Sequence, residues 1–319
     1  MLDTLLQIAF IFALFPIIIL LSLLFEGVDR KLHARLQNRI GPPIIQPFYD
    51  FFKLFGKERI VPENASASIF TIAPIFAVIC AVLGALIPVI ATLFRLDLVG
   101  DLILVIYLLA MPSLMMMIGG SASGNPFATI GFSRAITMLM SYEVPFILSI
   151  GLIFFKTELS VTTLSIIVAQ ETVGMPLAFS YVSMALAAAT FLMCIPIAAG
   201  TLPFDLSEAK TEISHGSLVE YSGPYLALMK MSKSILAFAL CFLAATLFFN
   251  LPAISSDPIL GPLSDFALNL MVASILMFVT VTLPRTMFAR AKPKQTLKFY
   301  WTVPLITVII ATIFNIVGF

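Results

Sequence analysis

Charged residues are scarce in this chain, and their scarcity excludes an ordinary soluble fold. Only 11% of the 319 residues are charged, whereas 60% are hydrophobic and the mean hydropathy is +1.08. Several apolar runs exceed the roughly 20 residues that cross a bilayer as a helix. The formal net charge of +1 provides no basic field for a nucleic acid. We therefore expect a single membrane domain over residues 1–319, with the lipid bilayer and no nucleic acid as a partner.

Potential metal ligands are also few. The chain has 3 cysteines and 2 histidines, and each of Cys80, Cys194 and Cys241 stands alone in an apolar run. No two cysteines have the spacing of a zinc, haem or iron–sulfur site. The sequence therefore predicts no cofactor in this chain and predicts cysteines that pack as small hydrophobic side chains. Any electrons that the protein serves would be carried by partner subunits.

Hydropathy predicts an all-α polytopic fold with eight membrane-spanning helices. They are expected at about residues 2–25, 69–93, 101–120, 134–155, 178–200, 231–250, 263–283 and 300–318. The first segment is too long for a cleaved signal and lacks a basic leader, so it should remain as a span. Connections at about 26–68, 121–133, 201–230 and 284–299 hold nearly all the lysines and arginines. The positive-inside rule then places these connections in the cytoplasm and both termini outside the cell membrane.

Four acids crowd into residues 205–220, between the fifth and sixth predicted spans: Asp205, Glu208, Glu212 and Glu220. Pro203 and Asp205 resemble a helix start, and Asp205 with Glu208 fits a capping box that would place the first three acids on one helix face. One interpretation is therefore a capped, solvated amphipathic helix. The other is a row of acids that exchange protons, because burial and like-charged neighbours raise the pKa of a carboxyl group.

Two further side chains in this stretch are candidates for proton exchange. His215 lies close to Glu212 in the sequence, although a lone surface histidine is more often inert. Tyr221 follows Glu220 directly and could donate a hydrogen bond to it.

The fourth predicted span contains an acid, Glu143, nine residues beyond Arg134. That separation corresponds to about 14 Å along a helix, so Glu143 should lie near the middle of the bilayer. An acid at that depth costs about 3 kcal/mol on insertion scales and should be paired, protonated or functional. A protonated carboxyl bonded to the carbonyl that Pro145 frees is one interpretation. We favour the other, an acid that relays protons.

The first connection contains an amphipathic segment, Gln46–Lys57, with Asp50, Lys53 and Lys57 on one face. Phenylalanines cover the remainder: Phe48, Phe51, Phe52 and Phe55. Such a helix typically lies along the membrane surface with its aromatic rings in the interface. The pattern therefore predicts an interfacial anchor.

Several motifs, in a fixed order from about Glu26 to Pro304, resemble one family. They include PFDLSEAKTEISHGSLVEYSG, an Arg followed by SYE at Arg134 and 141–143, and ARLQNRIGPPIIQPFYDFFKLFGKE in the first connection. The pattern is similar to NADH dehydrogenase subunit 1 of respiratory complex I. Members of this family also occur in membrane-bound nickel–iron hydrogenases, formate hydrogenlyase and archaeal sulfane reductases.

The resemblance implies a subunit between a peripheral electron-transfer arm and antiporter-like membrane subunits. The arm would carry iron–sulfur clusters and, in the hydrogenase branch, a nickel–iron centre, with ferredoxin as an indirect partner. The implied proton relay consists of Glu143, Asp205, Glu208, Glu212 and Glu220. Residues that would tune the relay are Arg134, Tyr142, Tyr221 and His215. Residues that would face the arm are Arg35, Arg39, Asp50, Lys53, Arg285 and Arg290.

Asp29 stands where many complex I subunits have Glu. Two further departures from the complex I pattern favour the hydrogenase-like branch, which needs no quinone: the segment between Pro42 and Gln46 is short, and Lys294 stands where an Asp is common. A quinone-chamber subunit remains the nearest alternative. A stand-alone proton-coupled transporter would require two repeated halves with broken helices. A passive anchor would leave Glu143 without a purpose.

Overall fold

The computed structural model describes residues 2–97, 100–157, 162–251 and 260–317, and that part of the chain is helical with no strand. Seven helical segments in it are long and apolar enough to cross a bilayer. They are α1 (Leu2–Leu36), α3 (Ala67–Leu93), α4 (Asp101–Ser121), α5 (Pro126–Lys156), α10 (Gly223–Phe248), α11 with α12 (Leu260–Met287) and α13 (Pro293–Val317). The chain is therefore an all-α polytopic membrane protein, as predicted.

The remaining helices are shorter. The predicted fifth span corresponds to α8 (Val182–Ala198), an apolar helix of 17 residues, preceded by the four-residue helix α7 (Leu177–Ser180). An amphipathic helix was predicted from Gln46, and α2 (Gln46–Phe55) confirms it. The helix α6 (Thr163–Val173) was not predicted, and the helix predicted from Asp205 is reduced to the single turn α9 (Lys210–Ile213). Residue 318, the predicted end of the last span, lies outside the described residues.

Several helices extend beyond the predicted spans on the side of the basic connections. The first helix continues to Leu36 instead of ending near residue 25, and α5 begins at Pro126 instead of near residue 134. Hydropathy detects only the part of a helix that matches the hydrocarbon layer, so polar extensions escape it. The start of α5 is fixed locally, because the Asn125 side chain accepts a hydrogen bond from the Phe127 N–H at 2.9 Å and proline occupies the first position.

The helix α10 lies at the centre of the bundle. In the most apolar 18-residue stretch of α10, 83% of the residues are buried, compared with 22% in the corresponding stretch of α13 at the periphery. Its Phe238 and Phe242 stack on each other and contact Phe25 of α1 and Phe266 of α11. This central position means that a polar residue near the start of α10 is surrounded by several other elements.

The four basic connections meet at one end of the bundle. The Ser66 N–H donates to the Ala122 carbonyl at 2.9 Å, and the Ala291 N–H donates to the Pro203 carbonyl at 3.0 Å. The Asn125 side chain donates to Glu220 at 2.6 Å and joins the connection at about 121–133 to the connection at about 201–230. We call this end the basic end. At the opposite end, Arg95 forms ion pairs with Glu171 and Asp265.

Candidate functional site

The connection at about 201–230 contains the four crowded acids, and we call it the acid-rich connection. It is irregular where the sequence predicted a helix start. Residues 199–209 form turns and bends, and Ala209, not Asp205, precedes the single turn α9. The predicted capping box and shared helix face are therefore wrong. Both acids contact cations from other elements instead of the backbone N–H groups of a following turn.

A short 3₁₀ turn (Gly216–Leu218) inserts this connection between α4 and α5. Glycines make the approach possible, because a Cβ on Gly120 or Gly131 would lie 2.7 or 2.6 Å from backbone atoms of Ser217. Gly216 has a φ of +50°, and its Cβ would lie 2.0 Å from the Ser207 carbonyl oxygen. The connection is thus fixed against the bundle by backbone-to-backbone contact.

Lys233, the eleventh residue of α10, is the centre of the polar cluster at this end. Its Nζ donates to Glu208 Oε1 at 3.0 Å and lies 3.9 Å from Asp205 Oδ1. Arg290 lies 3.5 Å from the other carboxylate oxygen of Asp205. Burial raises the pKa of Asp205 and the nearby Glu208 carboxylate adds to that rise, whereas the two cations oppose it. The result is a carboxyl group that holds its proton more tightly than an ordinary aspartate.

In the sequence, Lys233 was only one of the basic residues that set the membrane orientation, and no other role was predicted for it. The available signal was its position, the third residue of a predicted span that directly follows the acid-rich connection. A lysine inside an apolar run usually has a carboxylate partner, and this rule could have identified it.

A second ion cluster joins Asp29 of α1 to the segment of α11 and α12 (Leu260–Met287). Asp29 is 5% exposed and accepts hydrogen bonds from the Thr282 hydroxyl and the Arg285 guanidinium, both at 2.7 Å. A π-helical segment (Phe278–Thr282) ends at the first of these donors, two residues before Pro284, which lacks an N–H for the regular helix pattern. Arg285 therefore neutralises an internal acid.

A cavity of about 300 Å³ connects the two clusters. Its polar lining includes Glu26, Asp29, Arg30, Asp205, Glu208, Lys233 and Arg285, and its apolar lining includes Phe25, Phe238 and Met277. Charge changes at either cluster are thus connected through a shared polar space.

Arg30 joins α1 to the interfacial helix α2. It forms ion pairs with Glu26 and with Asp50, the latter at 2.8 Å. Asp50 is partly buried, which opposes ionisation, but hydrogen bonds from Arg30 and Gln46 lower its pKa overall. Asp50 was predicted to face the arm, and its carboxylate is paired with Arg30 of α1 while part of the side chain stays exposed; its contact with an arm stays a prediction. The Tyr49 and Phe52 rings are exposed on the outer side of α2.

The residues predicted to face the peripheral arm fall into two groups. Arg35, Arg39 and Lys53 are exposed and form no ion pair with described residues. Arg285 and Arg290 are half-buried and neutralise acids inside the site. Only the first group presents free charge outward.

Glu143 lies in α5 and is half-buried. Among the described residues it has no hydrogen-bond or ion-pair partner, so the bond to the carbonyl freed by Pro145, which was the less favoured interpretation, is not formed. Arg134 was expected to tune Glu143, but it forms an ion pair with Glu212 instead. The structure therefore separates Arg134 from Glu143 and leaves this acid unpaired.

The remaining predicted residues have other contacts. The Tyr221 hydroxyl donates to the Phe70 carbonyl at 3.1 Å and its ring stacks on Phe70, so it does not donate to Glu220. Burial raises the pKa of Tyr221. His215 is exposed, has a φ of +76°, and has no hydrogen bond to Glu212.

A second, smaller cavity of about 50 Å³ starts at the polar cluster and leads toward Glu143. Glu208 and Lys233 line one part of it, and Leu139 and Tyr142 of α5 line another. Glu143 follows Tyr142 and lies one helical turn beyond Leu139, at the edge of the lined face. The structure thus brings the acid-rich connection and Tyr142, the residue beside Glu143, to one cavity.

A metal site is not evident in the part of the chain that the structure describes. No group of three or more His, Cys, Asp or Glu side chains is arranged to hold a metal ion there. All three cysteines are buried and free.

Comparisons with known proteins agree on one family. A family model described as NADH dehydrogenase matches residues 8–316. Hydrogenase-4 component C of Escherichia coli is 31% identical over 288 residues, covering 88% of each chain. A membrane subunit of the NADH-quinone oxidoreductase of Thermomicrobium roseum is 34% identical over 257 residues, covering 74% of this chain and 75% of that one. A chain in the structure of the membrane-bound sulfane sulfur reductase, an archaeal respiratory membrane complex, superposes with a TM-score of 0.85 at 30% identity, covering 95% of this chain and 97% of that chain.

Proposed function

Because the chain belongs to the NADH dehydrogenase family of membrane subunits, we propose that it couples a peripheral redox arm to proton translocation. The observation that carries the proposal is Lys233, which contacts two acids and lines two cavities. One cavity reaches Asp29 and Arg285, and the other reaches Tyr142 beside Glu143. A change of charge at one end of the site can therefore move a proton at the other.

The first step takes place in the acid-rich connection. A redox event in the arm changes the charge or position of this connection. Since Lys233 is 3.0 Å from Glu208 and 3.9 Å from Asp205, a small displacement changes which carboxylate it neutralises. The acid that loses the cation binds a proton, because a buried carboxylate without a counter-charge is unfavourable. Glu212 and Glu220 extend the relay to the surface.

Glu143 is the last relay acid within this chain. It is half-buried, without a partner among the described residues, and adjoins the exposed apolar side chains of Ile136, Met140 and Val144. A carboxyl group at mid-bilayer depth is costly beside lipid. We therefore place an antiporter-like membrane subunit against this face of α5, where it receives the proton.

The basic end docks the peripheral arm. Arg35, Arg39 and Lys53 are exposed charges that are available for this contact. Iron–sulfur clusters, and a nickel–iron centre in the hydrogenase branch, belong to the arm, and reduced ferredoxin supplies its electrons. The basic end faces the cytoplasm and both termini lie outside the cell membrane, as the charge asymmetry indicates.

The hydrogenase-like or sulfane-reducing branch is the proposed one. The short segment after Pro42 closes tightly on α1, because a Cβ on Gly27 would lie 1.9 Å from the Ile44 carbonyl oxygen. One observation favours the alternative, a quinone-chamber subunit. The larger cavity has apolar walls from Phe25, Phe238 and Met277 beside its charges.

The relay is tested by Glu143→Gln in the assembled complex, reconstituted into vesicles. We expect electron transfer by the arm to persist while redox-driven proton movement falls at least tenfold, and Glu143→Asp to retain part of it. Glu63→Gln is the matched control, since Glu63 is exposed and outside the site. Normal proton movement in Glu143→Gln would refute the relay and leave Glu143 a structural residue.

The branch is tested with the purified complex and reduced ferredoxin. We expect hydrogen evolution or reduction of sulfane sulfur that is indifferent to quinone-site inhibitors. Quinone-dependent turnover that such an inhibitor blocks would assign the chain to the quinone-reducing branch instead.

A further inference from the structure

We infer that the smaller cavity is a water-filled segment of the relay and that the Ser217 hydroxyl orders its water molecules. This inference rests on the proposed proton relay and adds a positioning residue to it. The cavity separates Glu208 from the α5 residues next to Glu143, and a proton cannot cross it without intervening hydrogen-bonding groups.

The cavity has both the size and the polarity to hold water. Its volume of about 50 Å³ has room for about three water molecules, since each needs at least 10–15 Å³ on this measure. Hydroxyl groups occur on several of its walls, from Ser113 on α4, Tyr142 on α5, Ser217 on the acid-rich connection and Ser232 on α10. A polar cavity of this kind is expected to be hydrated, whereas an apolar one would remain dry.

Ser217 is the hydroxyl that most requires a water molecule. The residue is 1% exposed, and its Oγ has no hydrogen-bond partner among the described residues. Its backbone is held between Gly120 and Gly131, so the start of the side chain is fixed in position beside the cavity. A buried hydroxyl without a partner is costly, and a cavity water would satisfy it.

The groups at the two ends also have free hydrogen-bonding capacity. Lys233 donates to Oε1 of Glu208, and Oε2 has no partner among the described residues. The Tyr142 hydroxyl likewise makes no hydrogen bond there, and Glu143 is the next residue. In the transfer, an O–H bond breaks at Glu208, each water accepts one proton and releases another, and an O–H bond forms at Glu143. No other reactant is consumed.

A matched control is present in the same cavity. Ser232 also lines it and is fully buried, but its hydroxyl already donates to the Met229 carbonyl at 2.8 Å. Removing that hydroxyl takes the same atom from the same cavity without removing a free donor. Of the two variants, only Ser217→Ala removes a hydroxyl that has no hydrogen-bond partner among the described residues.

The experiment compares these variants in the assembled complex in vesicles, with arm redox activity measured separately. We expect Ser217→Ala to slow redox-driven proton movement about tenfold and to increase its solvent deuterium isotope effect, and Ser232→Ala to change neither. Equal behaviour of the two variants would overturn the inference. If Glu143→Gln stops proton movement while the serine variants are equal, the relay stands and only this inference fails.

Two further measurements do not depend on the folding of Ser217→Ala. Ser113→Ile should fill the cavity from α4 and slow proton movement to a similar extent, and a normal rate would contradict hydration of this path. A high-resolution structure of the complex should contain ordered water beside Ser217 Oγ, and an empty or lipid-filled cavity would refute the inference.

Discussion

Replacing Lys233 by methionine removes the central cation of the site and keeps most of the side-chain volume. The ammonium lies 3.0 Å from Glu208, a separation at which the attraction is about 5 kcal/mol with an effective dielectric constant of about 20. Both side chains are mostly buried, at 25% and 15% exposure, so desolvation offsets part of that energy. Losing one partner of such a pair typically costs about 3–5 kcal/mol because the other charge stays buried. We expect a loss of about 3 kcal/mol and an unfolding temperature lower by several degrees.

The same substitution should raise the pKa of Asp205 further, because Lys233 is one of the cations that lower it. Thermal unfolding of the purified complex and redox-driven acidification in vesicles measure the two effects. Lys230→Met is the control, since Lys230 is an exposed lysine on the same helix without an ion pair among the described residues. The double variant Lys233→Met with Glu208→Gln should recover part of the lost stability. Equal stability and coupling in Lys233→Met and Lys230→Met would refute the reasoning.

Three further predictions concern the connection and the topology. Gly216→Ala should reduce stability and proton movement far more than Gly174→Ala, because both glycines have positive φ but only the first has a carbonyl oxygen within 4 Å of the added Cβ. Burial raises the folded-state pKa of Asp205 above its usual 3.8, so its stabilising contribution is complete at lower pH and is lost as the pH rises through that raised value. Asp205→Asn should therefore lose less stability than the parent on raising the pH from about 4 to neutral, measured by thermal unfolding. In a cysteine-free background, exposed cysteines in Asn38→Cys and Lys294→Cys should react with an impermeant thiol reagent only from the cytoplasm, and labelling of either in intact cells would contradict the orientation.

The fold could be predicted from sequence because spanning helices need only length and apolar composition. The end of α1 at Leu36 could not, since a helix that continues into the polar region has no hydropathy signal. Glu143 and the acid-rich connection were each identified from a local motif, and the structure brings Tyr142, the neighbour of Glu143, to the same cavity as Glu208 of that connection.

The contacts inside the site could not be predicted, because they join residues far apart in the chain. Glu208 is paired with a lysine 25 residues away, and Asp29 accepts from Arg285, 256 residues away. The capping box failed for the same reason, since a local rule for Asp205 was overridden by cations from α10 and from the segment before α13. Lys233 was overlooked because its role depends on these tertiary contacts and not on its neighbours in sequence.

The length of α1 gives this site a mechanical property. Its 35 residues extend about 52 Å, whereas the hydrocarbon layer is about 30 Å thick. About 20 Å of helix length therefore lies beyond that layer. Near the end of α1, two consecutive residues form ion pairs with different elements. Arg30 pairs with Asp50 of α2, and Asp29 pairs with Arg285 of α12. A force applied to α2 therefore acts on a lever arm and becomes a torque on the buried ion pair. Under the proposed function, a protein docked on α2 would therefore displace the Asp29–Arg285 pair without contacting it.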